Sequence, residues 1–157
     1  MNVDRFTLDT SILVYSIDAT AGPRHEIAIR IIEQAVGLAS CLTLQSVSEF
    51  FAAVTRKRLM PRDRAAAAAR IWLDLFPIVC ASAQAVTAAL DHVVEGRTSY
   101  WDGLLLATAA EAGCSAILSA DMVDGAILSG VCIINPFAGD SLSEAAARIL
   151  TASADPA

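Results

Sequence analysis

The sequence has no apolar run that approaches the ~20 residues required for a membrane-spanning helix, although 55% of its 157 residues are hydrophobic. The amino-terminal stretch MNVDRFTLDTS has no basic flank followed by an apolar segment, so it does not match a secretory signal. We therefore expect a cytoplasmic protein. A chain of this length is typical of one domain with a sizeable core. We assign residues 1–140 to that domain and residues 141–157 to a carboxyl-terminal helix and frayed tail.

Cysteine motifs and phosphate-binding loops are also missing. Cys41, Cys80, Cys114 and Cys132 show no CxxC spacing and have no neighbouring histidine in the sequence. Each lies in or beside an apolar segment, which predicts buried, reduced thiols rather than disulfides or a zinc site. The sequence contains no internal repeat and no glycine-rich loop of the kind that cradles phosphate.

Positive charge is scarce, with a net charge of −6 and Lys57 as the only lysine. Such a balance argues weakly against a nucleic-acid partner, because these proteins usually carry a basic excess. It does not exclude one, since carboxylates that hold a divalent cation recover affinity for phosphate. Arg56, Lys57 and Arg58, followed by Arg62 and Arg64, form the one basic cluster. This cluster is typical of a solvated loop, with phosphate contact as the alternative.

Hydrophobic patterning predicts five strands that alternate with helices. The strands cover residues 6–8, 41–44, 78–80, 116–119 and 131–134, and the helices start at residue 10 or cover residues 25–38, 45–56, 61–75, 82–94, 102–112 and 141–150. This alternation is typical of a parallel sheet covered by helices on both faces. The segment that follows Asp102 is apolar on nearly every side, so we expect a buried rather than an amphipathic helix there.

Four acidic residues lie near the predicted strand ends. Asp9 follows the first strand, Glu49 lies one turn into the helix after the second, Asp102 begins the buried helix, and Asp121 follows the fourth strand. In a parallel sheet all four converge on the carboxyl edge, where ligands bind. Neighbouring carboxylates repel each other unless a cation lies among them, and Mg²⁺ or Mn²⁺ suits such oxygen ligands. A divalent ion there can activate water for phosphodiester hydrolysis.

Three of the four acids also have a purely structural explanation. An Asp before a helix, such as Asp9, is a common N-cap. The pairs Ser46-x-x-Glu49 and Ser99-x-x-Asp102 match capping boxes, in which the acid satisfies a free backbone N–H. The pair Ser141-x-x-Glu144 predicts the same kind of cap for the last helix. The alternative to an enzyme is therefore a non-catalytic module for protein or RNA interaction whose acids are helix caps.

Two other acidic-pocket classes fit poorly. A haloacid-dehalogenase-like phosphatase would need a second aspartate at the position of Ser11. A receiver domain would need a lysine after a late strand, and the residues from Ile133 to Pro136 include none.

In these motifs the chain resembles the PIN-domain nucleases and, among them, the VapC-type toxins of toxin–antitoxin pairs. The matching motifs lie between residues 6 and 137 and are LDTSILVYSID, QSVSEFF, SYWDGLLLATAAEAG, and ILSADMVDG followed by VCIINPF. The resemblance implies a three-layer α/β fold, in which a central parallel five-stranded sheet is flanked by helices. It also implies a Mg²⁺- or Mn²⁺-dependent endoribonuclease that acts as the toxin of a type II toxin–antitoxin system.

The resemblance assigns roles position by position. It implies four catalytic acids, of which all but the glutamate are metal ligands: Asp9, Glu49, Asp102 and Asp121. It implies three supporting residues, two through hydroxyls and one through a water molecule: Ser11, Ser119 and Asp124. The candidate RNA contacts are the basic residues Arg56, Lys57 and Arg58.

The expected partners are an RNA substrate, a VapB-type antitoxin and a second copy of the chain in a homodimer, with no membrane. A groove between the helices near residues 25–38 and 45–58 is the predicted seat of an amphipathic antitoxin helix. Phe50 or Phe51 would anchor that helix, and the alternative is that both phenylalanines belong to the core.

Overall fold

A six-stranded sheet forms the centre of the computed structural model, which describes residues 3–152. Its strands are β1 (Phe6–Leu8), β2 (Ser40–Thr43), β3 (Ile78–Val79), β4 (Ala116–Leu118), β5 (Ile127–Leu128) and β6 (Val131–Ile134). They lie in the order β3-β2-β1-β4-β6-β5. All neighbours pair in parallel except β5, which is antiparallel to β6. The predicted five-stranded parallel sheet is confirmed, and β5 is an addition to it.

The sequence did not predict β5, which is joined to β6 by the two-residue turn Ser129–Gly130. Both turn residues have positive φ angles, 53° for Ser129 and 77° for Gly130. This is the geometry of a type I′ hairpin turn, whose twist matches that of the flanking strands. β5 consists only of Ile127 and Leu128, and its pairing with β6 is a contact that the residue pattern does not show.

Seven α-helices surround the sheet: α1 (Thr10–Tyr15), α2 (Pro23–Val36), α3 (Leu44–Arg56), α4 (Arg62–Leu75), α5 (Ala83–Val94), α6 (Tyr100–Glu111) and α7 (Glu144–Ala152) within the described range. A short 3₁₀ helix at Ala19–Ala21 links α1 to α2, and a small hairpin of β7 (Phe137–Ala138) and β8 (Ser141–Leu142) precedes α7. The end of the predicted frayed tail, residues 153–157, lies outside the described residues, as do residues 1 and 2.

The two faces of the sheet form separate cores because alternate side chains of each strand point to opposite faces. Phe6 and Leu8 of β1 pack with the apolar faces of α2, α3 and α4 in one cluster. Cys41 of β2 and Ile117 of β4 pack with α6 in another. α7 joins the first cluster, and α5 packs against α6. The predicted three-layer arrangement is therefore confirmed, whereas the domain boundary at residue 140 stays a prediction.

The predicted buried helix is confirmed as α6, in which every residue from Gly103 to Ala109 is buried. It begins at Tyr100 rather than at Asp102, with Ser99 as its N-cap. The backbone N–H of Asp102 donates to Ser99 Oγ over 3.3 Å. Asp102 therefore lies in the first turn of the helix.

Two of the predicted capping motifs are wrong. α3 begins at Leu44 because Thr43 is its N-cap and accepts a 3.0 Å hydrogen bond from the N–H of Ser46. Ser46 is thus inside the helix, and Glu49 is too far along it to act as a cap. At α7 the hydroxyl that accepts the N–H of Ala146 belongs to Ser143, because Ser141 lies in β8.

The four cysteines are free thiols, as predicted. Cys41 and Cys114 are buried and Cys132 is partly buried, but Cys80 is exposed, so the prediction that it is buried is wrong. Cys80 directly follows the short strand β3, which lies at the edge of the sheet. No helix within residues 3–152 has both the length and the apolar character needed to cross a membrane.

Candidate active site

The sheet order reverses direction between β1 and β4, and ligands in open α/β sheets bind at the carboxyl ends of strands at such a point. Asp9 comes directly after β1, and its backbone N–H donates to the carbonyl oxygen of Leu118, the last residue of β4, over 3.0 Å. Asp121 lies just beyond β4. The parallel pairing of these two strands therefore brings two of the predicted acids to one edge.

The buried Asp9 carboxylate accepts three hydrogen bonds. Its Oδ1 accepts from the backbone N–H of Thr10 over 2.8 Å, which makes Asp9 the N-cap of α1. Its Oδ2 accepts from the hydroxyls of Ser11, at 3.0 Å, and Ser119, at 2.7 Å. The capping explanation is thus correct for one oxygen but does not account for the other, which is held by two side chains.

The two serine hydroxyls connect Asp9 to the segment that carries Asp121. Ser11 Oγ accepts from the N–H of Ala120 over 3.1 Å. Ser119 Oγ accepts from the N–H groups of Asp121 and Met122, each at 3.3 Å. The structure therefore places both predicted supporting hydroxyls between the first and the last acid of the set.

Glu49 is positioned by a second network that joins three helices. Its Oε2 accepts from Thr10 Oγ1 of α1 over 3.1 Å, and its Oε1 accepts from Gln45 Nε2 over 2.9 Å. The same amide nitrogen donates to the carbonyl oxygen of Trp101, in the first turn of α6, over 2.9 Å. Sequence reasoning missed Thr10 and Gln45. Their positions in the sequence could have indicated them, because Thr10 is next to Asp9 and Gln45 lies one helical turn before Glu49.

One cavity of about 410 Å³ gathers all four predicted acids in its lining, and we call it the acidic cavity. Its lining consists of Asp9, Thr10, Ser11, Val14, Tyr15, Asp18, Glu49, Ala53, Arg56, Lys57, Leu59, Asp102 and Asp121. Arg56 and Lys57, two of the three predicted RNA contacts, are part of this lining. Arg58 is exposed, with a φ angle of 55° just after α3, and is not part of the lining.

Two other predicted site residues are absent from the lining of the acidic cavity. One is Ser119, which is fully buried and contacts the Asp9 carboxylate. The other is Asp124. It is exposed, and its Oδ1 accepts the backbone N–H of Asn135 over 2.8 Å. This bond ties the turn after β4 to the end of β6.

Ionisation of Asp9 in the acidic cavity is unfavourable without a cation. Burial raises the pKa of the Asp9 carboxyl above its usual value, and the nearby Asp121 charge raises it further, while the hydrogen bonds from Ser119 and Ser11 act in the opposite direction. A cation placed between Asp9 and Asp121 would relieve both effects. The site therefore has the charge and the oxygen donors that suit Mg²⁺ or Mn²⁺.

Residues 3–152 nevertheless contain no group of three or more His, Cys, Asp or Glu side chains already positioned to hold a metal ion. Such a ready-made cage is not a requirement for Mg²⁺, which keeps several waters and is usually bound by one or two carboxylates. The donor set consists of carboxylate and hydroxyl oxygens, so the residues present fit a hard divalent ion.

Two larger cavities adjoin the acidic cavity because they share its acids. The Arg97 cavity, of about 520 Å³, includes Asp102 and Asp121 in its lining together with Arg97 and an apolar wall. The Trp101 cavity, of about 680 Å³, includes Glu49 and the exposed ring of Trp101. The acids are thus shared among the linings of three cavities.

Sequence reasoning also missed Arg97 and Trp101. Arg97 is the only lysine or arginine between Arg70 and Arg148, a signal that was present in the sequence. It lies in the loop before α6 and forms an exposed ion pair with Glu95, at 2.9 Å. Trp101 immediately precedes a predicted catalytic acid, but the sequence does not reveal that its ring is exposed.

Comparison with known proteins gives a consistent result. The family model described as PIN domain matches residues 6–122. No sequence among the curated proteins matches the chain. Similar solved structures include the Mycobacterium tuberculosis toxin VapC20, which cleaves the sarcin–ricin loop, with 20% identity, a TM-score of 0.62, and coverage of 74% of this chain and 89% of that one.

Two toxin–antitoxin structures are also similar. VapBC2 from Rickettsia felis, bound to a fragment of its promoter DNA, has 13% identity and a TM-score of 0.60, with 82% of this chain and 96% of that one covered. A complex from Klebsiella pneumoniae has 22% identity and a TM-score of 0.59, with 83% and 97% covered. At these identities the likeness establishes a common fold. Because the family model spans well over half of the sequence, the chain belongs to the PIN-domain family.

Proposed function

We propose that this protein is a divalent-metal-dependent endoribonuclease and the toxin of a type II toxin–antitoxin system. The observation that carries the proposal is the gathering of Asp9, Glu49, Asp102 and Asp121 around one cavity at the carboxyl edge of the sheet. Membership of the PIN-domain nuclease family supports a hydrolase that acts on nucleic acid. The cleavage experiment described below tests two parts of this proposal, RNA as the substrate and dependence on metal.

Asp9, Asp102 and Asp121 are the residues that would hold Mg²⁺ or Mn²⁺. When bound, the ion would supply Lewis-acid activation of water and neutralise charge at the phosphate. The chain's contribution is orientation, because Ser11, Ser119 and the Thr10 N–H fix the Asp9 carboxylate from both of its oxygens. Supporting hydrogen bonds of this kind keep metal-binding carboxylates in a productive direction.

Glu49 is the proposed acceptor of a proton from the attacking water. The Thr10 hydroxyl and the Gln45 amide each hold one of its oxygens, so the carboxylate keeps a fixed position at the wall of the acidic cavity. Arg56 and Lys57, on the same wall, are placed to contact RNA phosphates. Arg58 is outside the lining and is not among the proposed contacts.

Hydrolysis by water predicts products with a 5′-phosphate and a 3′-hydroxyl. The alternative, attack by the RNA 2′-hydroxyl, needs a base such as histidine near the scissile phosphate. Neither histidine of the sequence lines the acidic cavity. His25 contacts the carbonyl of Tyr15 at 2.9 Å, and His92 contacts the Ser129 hydroxyl at 3.0 Å.

A VapB-type antitoxin and a second copy of the chain are the proposed partners. The fold likeness to toxin–antitoxin complexes supports an antitoxin partner. The helix α1 packs against both α2 and α3, between which the antitoxin groove is predicted. Phe50 is fully buried, and Phe51, which is 38% exposed, is the phenylalanine left for contact with a partner.

The decisive experiment is RNA cleavage with and without EDTA, followed by analysis of the product ends. We expect cleavage with Mg²⁺ or Mn²⁺ and a large loss in Asp102→Asn, a nearly isosteric change that removes one carboxylate. Asp74→Asn, an exposed change on α4, is the matched control and should cleave normally. Full activity in EDTA, or products with a 2′,3′-cyclic phosphate, would contradict the mechanism. Normal folding without metal binding or cleavage would favour the non-catalytic interaction module.

A further inference from the structure

Trp101 is an exposed aromatic ring beside the proposed active site. It is 60% exposed, whereas the other tryptophan, Trp72, is 7% exposed and packs edge-on against Phe50 with ring centroids 4.5 Å apart. Trp101 directly precedes Asp102 in the first turn of α6. A large aromatic side chain left in solvent at this position adds nothing to the core, so its packing does not explain it.

The position of the Trp101 ring is tied to the acids. The Gln45 amide nitrogen donates to the carbonyl oxygen of Trp101 and to Oε1 of Glu49, each at 2.9 Å. The Tyr100 ring supports the Trp101 ring edge-on, with centroids 5.0 Å apart. Trp101 is therefore held next to the acidic cavity at two points, its backbone carbonyl by Gln45 and its ring by Tyr100.

The lining of the Trp101 cavity suits a nucleobase better than a phosphate. Glu49, at the border with the acidic cavity, is its one charged residue. The rest of the wall is mostly apolar, with Leu44, Val79 and Leu104 beside a few polar groups. A volume of about 680 Å³ is within the range of small-ligand pockets. An apolar slot with one exposed aromatic face is how proteins bind unpaired bases of single-stranded RNA.

We propose that Trp101 stacks on an unpaired base of the RNA, next to the phosphate that lies at the acids. This inference rests on the proposed function and adds to it a base-stacking residue beside the acids, Trp101. The strand would place its scissile phosphate in the acidic cavity, beside Arg56 and Lys57, and the neighbouring base in the Trp101 cavity. The Gln45 bridge then couples the stacked base to the position of Glu49.

The first test is the intrinsic fluorescence of the wild-type protein in EDTA, where cleavage is not expected. Trp72 is buried, so a quencher such as iodide reports mainly on Trp101. Titration with a single-stranded RNA oligonucleotide should change the emission and protect Trp101 from iodide, and Trp101→Phe should lack the response. RNA that binds without altering the emission or the iodide quenching would overturn the proposal.

The second test combines protein variants with abasic RNA. Trp101→Ala should weaken RNA binding about 5- to 150-fold, the range expected for loss of one stacked base, and Trp101→Phe should retain most of the affinity. An abasic ribose beside the cleaved bond should weaken binding to the wild type but should have no further effect on Trp101→Ala. Ile71→Ala, an exposed apolar change on α4, is the control and should bind normally.

The outcomes separate the two proposals. Metal-dependent cleavage with no effect of Trp101→Ala or of any abasic position would leave the proposed function standing and overturn the stacking inference. Absence of both cleavage and RNA binding would overturn both. Unchanged RNA binding, together with a loss of self-association or antitoxin binding in Trp101→Ala measured by sedimentation, would overturn the inference in favour of a protein interface.

Discussion

The hydroxyl of Ser119 donates a 2.7 Å hydrogen bond to the carboxylate of Asp9, from a position 110 residues further along the chain. Ser119 is completely buried, and its oxygen also accepts the N–H groups that lead into the turn carrying Asp121. This single hydroxyl therefore joins the first and the last of the four acids.

Ser119→Ala should lower both stability and metal affinity. It removes a hydrogen-bonding partner from the Asp9 oxygen and from two N–H groups, so we expect about 1–3 kcal/mol less free energy of unfolding. Without this supporting hydrogen bond, Mn²⁺ binding should weaken about 10- to 100-fold. Thermal melts and calorimetric titration measure the two effects. Ser115→Ala is the control, because the Ser115 hydroxyl is buried without a partner among the described residues. Equal results for both variants would refute this prediction.

Asp121→Asn should stabilise the metal-free protein while weakening its metal binding. The Asp121 charge raises the pKa of Asp9, so the ionised pair destabilises the fold at neutral pH. Removing that charge should add a few tenths to about 1 kcal/mol.

The pH dependence follows from the direction of the Asp9 shift. The folded-state pKa of Asp9 is raised above its unfolded value of 3.8. The contribution of Asp9 to wild-type stability in EDTA should therefore fall as the pH rises from 3.8 through the folded-state pKa. The gain from Asp121→Asn should be present at neutral pH and should disappear once Asp9 is protonated. A gain that persists or grows at low pH in denaturant titrations would contradict the assigned cause.

Arg56 and Lys57 should differ from Arg58 in the salt dependence of RNA binding. Removing one cationic side chain that binds a phosphate of single-stranded RNA should reduce the slope of log affinity against log salt by about 0.7. Arg56→Ala and Lys57→Ala should each show this reduction. Arg58→Asn, which removes the charge with a residue that tolerates positive φ, should not. Equal slopes for all three variants would show that the acidic cavity does not set the path of the RNA.

Phe50 and Phe51 should separate folding from partner binding. Phe50 is fully buried against Trp72, so Phe50→Ala should cost about 3–5 kcal/mol of unfolding free energy. Phe51→Ala should change stability little. If Phe51 is an antitoxin anchor, its truncation should weaken the complex by ~2 kcal/mol or more, measured by calorimetry with the purified antitoxin. Unchanged antitoxin affinity would remove Phe51 from that interface.

Cys80 should be the first thiol to react with iodoacetamide, although the pKa of the Cys41 thiol is lowered. A hydrogen bond from Cys114, whose Sγ lies 3.5 Å away, lowers the pKa of Cys41 to about 7. Both of these thiols are buried, whereas Cys80 is exposed, and access limits the reaction. Peptide mass spectrometry should find Cys41 modified only after unfolding. Early modification of Cys41 in the folded protein would contradict the packing described for this side of the sheet.

The four acids could be predicted because a parallel sheet determines where its strand ends lie. Asp9 and Asp121 follow strands that are visible as short apolar runs, and no detail of side-chain packing was needed to bring them together. The type I′ turn and strand β5 were not predicted, since β5 depends on its pairing with β6 rather than on its own residue pattern.

Side-chain partners were less predictable than backbone placement. The choice of Thr43 over Ser46 as the N-cap of α3 depends on where β2 ends, which is a tertiary contact rather than a local preference. The Gln45 bridge from Glu49 to Trp101 joins helices that are far apart in the sequence. Exposure of Cys80 depends on which helix covers β3, and residue patterns do not specify that.

Strand β1 pairs with β4, and Phe6 lies opposite Ala116 in this pairing. The acidic cavity therefore cannot form during translation until the segment through Asp121 has emerged from the ribosome. A nascent chain that stops before Ala116 lacks both Ser119 and Asp121, so its Asp9 carboxylate lacks the hydrogen bond that joins it to the last acid. Pairing across so long a loop is also entropically costly and slow. Translation itself therefore delays whatever chemistry this cavity performs until the fourth strand has been made.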